Sequence, residues 1–175
     1  MNFSLFLTFP ARDPAARASD ADLERAAEVV KTTPRLRKGI VYTPATASDP
    51  YAKYPPPPQL ALQLYFDEIA ALEGAIAPRG HLQALAGADA LPSVDKAAAA
   101  HQAMLTRAFA VPDPAFRTPE GALPCSDLIH YPGRAADLNA WLSHYLAHHA
   151  PLMVRLPGVR EVEIYTRIDW CGALP

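Results

Sequence analysis

The sequence predicts an α+β protein: one ferredoxin-like βαββαβ unit followed by a partial second copy of it. Three observations carry this reading. Apolar, β-prone runs alternate with helical patterns in the order strand, helix, strand, strand, helix, strand. Proline is abundant, 19 in 175 residues, about twice the ordinary share of ~5%, and it concentrates at 55–58, in 112–124 and at the repeated strand and helix ends. Two blocks of the first half also recur in the second half at nearly one offset.

The elements follow in order. Residues 3–9 (FSLFLTF) are apolar and β-prone and are closed by Pro10, which suits a buried strand. Ser19 is placed as an N-cap, and Leu23, Ala26, Ala27 and Val30 recur at the spacing that puts one apolar stripe on a helix ending before Pro34. Residues 39–43 (GIVYT) read as the second strand. Residues 44–58 end in four consecutive prolines and can be neither helix interior nor central strand, so they form a loop or polyproline II segment. Leu60 to Phe66 alternates as a third strand, and Asp67 caps a helix carrying Ile69, Leu72, Ala75 and Ile76 on one side. Helical sequence is expected to continue to about His101, and residues 104–111 complete the unit as the fourth strand.

Beyond the proline-rich stretch 112–124 the chain repeats itself. Thr8-Phe9-Pro10-Ala11-Arg12 reappears as His130-Tyr131-Pro132-Gly133-Arg134, an offset of 122. The ten residues from Pro34 to Thr43 reappear as Pro157 to Thr166, an offset of 123 that matches Arg37 with Arg160. The organisation expected is therefore a first repeat over 1–111, a linker over 112–124 and an incomplete second repeat, strand-helix-strand, over 125–175. On the repeat's own arithmetic roughly 50 to 60 residues are missing from the second copy, or another chain completes its sheet.

Composition excludes several functions. A formal charge of −2 and a pI near 6.3 lack the basic footprint of a duplex binder, so nucleic acid is not an expected partner. No apolar run approaches the ~20 residues that span a bilayer, and residues 3–9 have neither a basic lead nor a cleavage site, which gives a cytoplasmic, non-membrane expectation. Cys125 and Cys171 have no CxxC spacing and read as reduced thiols.

Chemistry concentrates in residues 135–156, which hold His144, His148 and His149, half of the six histidines. At 100° per residue, Leu138, Trp141, Leu142, Tyr145, His149, Leu152 and Leu156 share one stripe that is expected to face the sheet, with His149 near its centre. A histidine there either works as an acid or base near neutral pH or sits as a core histidine bonded to a carbonyl. Tyr145, one turn earlier, orients it or a ligand oxygen, or is an edge aromatic. His130 belongs to the strand before the helix and either reaches the same cavity or is a half-exposed strand residue, with its neighbour Tyr131 on the other face. His144 and His148 stand at the i, i+4 spacing of a metal pair, but no third ligand accompanies them, and the expectation is no metal and no cofactor. Arg160 and Arg37 are assigned to fixing a turn or sheet edge rather than to anion binding.

The string from His144 to Leu152 (HYLAHHAPL), followed by Leu156-Pro157-Gly158-Val159-Arg160, resembles the HYxxxHAPL…LPGL signature of the EthD family, part of the dimeric α+β barrel superfamily. Phe66-Asp67 before a Leu/Ala helix resembles the strand-to-helix step of that family, and Trp141 stands where it usually has phenylalanine. The resemblance implies a ferredoxin-like sheet paired with a second one, as a homodimer or by pairing of repeats within the chain, around a small-molecule cavity. It implies cofactor-free acid/base chemistry of a dehydratase, isomerase or ether-degradation type on a small apolar or aromatic oxygenated compound. His149, Tyr145 and His130 are then the catalytic candidates, and Trp141, His144 and Tyr131 the ligand-binding ones. The alternative is a non-catalytic binding or accessory protein of an oxygenase system, since no nucleophile-base pair or cofactor motif is present.

Overall fold

A computed structural model of the chain describes residues 2–45, 55–122, 124–131 and 133–174. Its fold is α+β. The strands are β1 (Asn2–Phe9), β2 (Lys38–Tyr42), β3 (Leu60–Phe66), β4 (Ala100–Phe109) and β5 (Val162–Arg167), in the sheet order β2-β3-β1-β4-β5. The first four strands stand in the order of a ferredoxin-like βαββαβ unit. Contacts divide the chain into two units, Met1–Leu105 with Thr166–Pro175, and Thr106–Tyr165, so the division falls inside both β4 and β5.

In the first unit, β1 pairs antiparallel with β3, and Leu5, Leu7 and Phe9 lie opposite Leu64, Leu62 and Leu60. These side chains line one face of the sheet and are buried against Ala26 and Val30 of helix α1 (Asp20–Lys31) and Leu72, Ala75 and Ile76 of helix α2 (Ile69–Ile76). Strand β3 does not show the half-buried alternation expected of it. All seven residues are buried, because β3 lies between β1 and β2 and its second face also carries side chains removed from water, Gln63 among them. Gln63 Oε1 accepts the Tyr42 hydroxyl at 2.6 Å, as a buried amide requires.

Ser19 caps α1 as expected, its hydroxyl accepting the Asp22 amide at 3.3 Å. The buried face of α1 differs in one position: Ala27 is exposed, and Asp22 takes a buried place beside Ala26 and Val30. Asp67 does not cap α2. The N-cap is Glu68, whose side chain makes no capping bond and pairs with Arg35, and Asp67 instead meets Arg37 at 3.4 Å. Arg37 also donates to Asn2 Oδ1 at 2.9 Å, and Arg160 donates to Thr118 Oγ1 at 2.8 Å, so both serve local structure.

The helical run expected up to His101 is absent. A 3₁₀ turn over His81–Leu85 is followed by successive turns, and β4 starts already at Ala100. Gly80, Gly87 and Pro92 interrupt any helix here, and side chains replace the lost backbone bonds. Lys96 donates to the Gly87 carbonyl at 2.6 Å, and Gln59 both donates to the Ser93 carbonyl and accepts the Asp95 amide. Residues 168–174 close the same core: Ile168, Trp170 and Leu174 pack on it, and the Ala173 amide donates to the Ile76 carbonyl at 2.9 Å. The part of the predicted loop at 46–54 lies outside the described residues.

The second unit holds a helix in three pieces, α3 (Leu138–His144), a π turn (Tyr145–His149) and α4 (Ala150–Met153). The strand expected before it is not formed: residues 124–131 are exposed and irregular. A different recurrence is seen instead. After β1, Asp13 Oδ1 accepts the Ala15 amide at 2.8 Å, while Arg17 donates to the carbonyls of Pro14 and Ala16. After β4, Asp113 Oδ1 accepts the Ala115 amide at 3.0 Å, while Arg117 donates to the carbonyls of Pro114 and Phe116. The same Asp-Pro-Ala-x-Arg turn thus follows both strands at an offset of 100.

Candidate functional site

The chemistry-bearing residues of the second unit are positioned by the interruption of their helix. Asp137 starts it, its carboxylate accepting the Ala140 amide at 2.9 Å. Pro151 has no amide proton, and in a regular helix its ring crowds the carbonyl four residues earlier. The chain answers with the π turn, in which the Ala150 amide reaches back five residues to the Tyr145 carbonyl. The spacing of 100° per residue therefore fails beyond Tyr145, and so does the stripe drawn with it. Leu138, Leu152 and Leu156 are 64%, 58% and 51% exposed, and of the helical residues only Ala150 is buried. The expectation that this stripe is sheet-facing and buried is thus corrected.

Four of the candidate residues nevertheless come together. Trp141, Tyr145 and His149 form a stacked column: the Trp141 and Tyr145 rings are 5.1 Å apart with planes at 19°, and the Tyr145 and His149 rings 4.5 Å apart at 26°. Tyr131 stands edge-on to Trp141 at 5.8 Å and to Tyr145 at 5.7 Å. Tyr131 thus belongs to the cluster rather than to an opposite face, since it lies on irregular chain and is free of strand alternation. Such offset and edge-on contacts match the ring quadrupoles and hold the imidazole flat against the phenol. Burial holds the Tyr145 hydroxyl well above the ordinary value of 10.0, helped by a hydrogen bond and charge repulsion with Tyr131. Tyr145 therefore stays protonated at neutral pH and is equipped to donate a hydrogen bond, not to act as a base.

The remaining candidates are placed elsewhere. His130 is exposed on the irregular segment and makes no ring contact with the column among the described residues. His144 is exposed and contacts His148, with rings 4.4 Å apart at 72°. Their i, i+4 spacing places the two rings side by side on the helix. Cys125 and Cys171 are both unpaired and exposed, and the carboxylate of Glu73, close to the Cys171 thiol, pushes that thiol up. Among the described residues no group of three or more His, Cys, Asp or Glu side chains is arranged to hold a metal ion, and no helix is long and apolar enough to cross a membrane.

Hollows on the described surface lie away from this cluster. One of about 370 Å³ lies between α1 and β2, lined by Val30, Leu36 and Val41 with Lys31, Arg37 and Lys38. Another, about 190 Å³, is lined by Pro112, Phe116 and residues 154–159. Neither includes the aromatic column. The column is a partly open face and not the wall of either hollow. Compared with known proteins, the chain matches no family model and no curated protein.

Proposed function

We propose that the second unit is an EthD-like acid/base module acting without a cofactor on a small apolar or aromatic oxygenated compound. The observation that supports this best is the column of Trp141, Tyr145 and His149, with Tyr131 at its edge. A planar ligand stacks on such rings and presents its oxygen to Tyr145, whose retained proton stabilises charge developing on that oxygen. His149 takes the proton from the carbon beside the carbonyl and returns it to a second carbon, which completes an isomerisation with no change in redox state. Trp141 and Tyr131 supply the apolar walls. His130 and His144, which do not meet the column, have no part in this step. The protein is proposed to work in the cytoplasm, pairing as a homodimer or through its own repeats.

The deciding measurement is exchange of carbon-bound hydrogen for solvent deuterium, followed by proton NMR across a panel of unsaturated lactones and aromatic hydroxy-ketones. Exchange that falls ~10² to 10⁴-fold in His149→Ala, with the fold retained, supports the reading. Exchange at wild-type rates in that variant refutes it. A second reading, a non-catalytic binding module, draws on the half-open setting of the column: Trp141 is 40% and Tyr131 52% exposed. It requires ligand binding, read from Trp141 fluorescence, that survives His149→Gln with no exchange in either protein.

A further inference from the structure

We propose that His144 and His148 form a two-histidine chelate for a late first-row divalent cation of tetragonal preference, Cu²⁺ above Ni²⁺, independent of the chemistry proposed for His149. Several features of the helix bear on this. The residues are four apart, at the junction of α3 and the π turn. Four residues make about one full revolution in either helix type, so the two side chains emerge on one face. Both are exposed, and the only ring contact either makes among the described residues is with the other.

The separation of the rings admits a shared ion. A metal held at ~2.0 Å by one imidazole nitrogen lies about 3.2 Å from that ring's centroid. Centroids 4.4 Å apart therefore close on a shared ion at an N–metal–N angle of about 90°, the cis angle of square-planar and octahedral sites. A site of two imidazoles and water binds Cu²⁺ more tightly than Zn²⁺ by the general affinity order of divalent first-row ions, so Cu²⁺ is the expected occupant. Exposed rings turn about Cβ–Cγ at little cost and can aim a nitrogen from each at the shared point. Water fills the remaining positions.

His149 takes no part, because its ring lies along Tyr145, away from the His144 and His148 pair. That separates the chelate from the proposed acid/base site.

The test uses the full chain titrated with CuSO₄, NiCl₂ and ZnCl₂ and followed by calorimetry, with electron paramagnetic resonance of the Cu²⁺ form. The expected result is one tight Cu²⁺ site whose spectrum is axial and carries coupling to two imidazole nitrogens. Affinity should fall in the order Cu²⁺, Ni²⁺, Zn²⁺. His144→Ala and His148→Ala should each lose about tenfold or more in Cu²⁺ affinity, because the second arm of a chelate binds at high effective concentration. His130→Ala should change nothing. A wild-type spectrum with a single coupled nitrogen, Zn²⁺ binding tighter than Ni²⁺, or equal Cu²⁺ affinity in the His144→Ala/His148→Ala double variant overturns the assignment. The spectrum is read on the unmodified protein, so the test does not depend on any variant folding.

Discussion

The Asp22 carboxylate accepts both the amide of Ser93, at 2.7 Å, and the Ser93 hydroxyl, joining the first turn of α1 to the chain just before β4 across seventy-one residues of sequence. Ser19 completes the knot, its amide donating to the Ser93 hydroxyl at 2.8 Å. A buried carboxylate needs such partners, and here they hold its ionised form, so its pKa is lowered from 3.8, chiefly by the Ser93 hydroxyl.

A group whose folded pKa is depressed adds stability above its unfolded pKa and loses it as pH falls through the folded value. The knot should therefore be fully effective above the ordinary carboxylate value of 3.8 and weaken below it. Ser93→Ala is expected to cost about 1–3 kcal/mol in urea denaturation at pH 7. The difference from wild type should shrink as pH is lowered below 3.8. A constant difference down to pH 2 would contradict the assignment.

Tyr145 gives the opposite pH dependence. Its pKa is raised above 10.0, so stability from its retained proton is complete below about pH 10 and is lost as pH rises further. An ultraviolet titration should show a late step from the Tyr145 phenol, ionising above the ordinary value of 10.0. Tyr145→Phe should abolish that late step while keeping the ring stack. A titration unchanged by the substitution would place the late phenol elsewhere.

Gly39 marks a close approach between β2 and α1. A Cβ there would collide with Val30 Cγ1 and come within 3.1 Å of Leu36 Cδ2. Gly39→Ala should destabilise by about 1–3 kcal/mol. Combined with Val30→Ala it should cost less than the two single changes together, because the clash is then removed. Strict additivity in chemical denaturation would show that helix and strand move apart instead.

The exposed leucines of the second unit lead to a null result for stability. Leu138→Ser and Leu152→Ser, at side chains 64% and 58% exposed, should each shift unfolding free energy by no more than about 0.5 kcal/mol in dilute protein. Leu64→Ala, at a fully buried position, should cost about 2–5 kcal/mol. Losses at Leu138 or Leu152 that grow with protein concentration would locate a contact between copies there.

How far the fold was legible follows from where its signals lie. Strand β3 could be bounded to the residue, because the alternating run Leu60 to Phe66 lies between the prolines at 55–58 and the acidic pair Asp67 and Glu68, although the half-burial that alternation implies did not hold. Ser19 was legible as a cap because its chemistry is local. Asp22 was not, since an acidic residue on a helix reads as solvated until its partner Ser93 is brought near by the fold. In the candidate site, the company of Trp141, Tyr145 and His149 followed from their spacing at four-residue intervals. Their exposure did not, because a periodic stripe shows which side chains share a side of a helix and not what that side packs against. His130 was misplaced by a matching pentapeptide: similarity to the end of β1 suggested a strand, while the equivalent turn actually follows β4.

Because the boundary between the two units runs through β4 and β5 alike, neither half can be cut from the gene with its strands intact. A split after Leu105 severs β4, and one before Thr166 severs β5. A fragment ending at either cut therefore carries a shortened strand, so a truncation meant to keep β4 or β5 whole must end beyond Phe109 or begin before Val162.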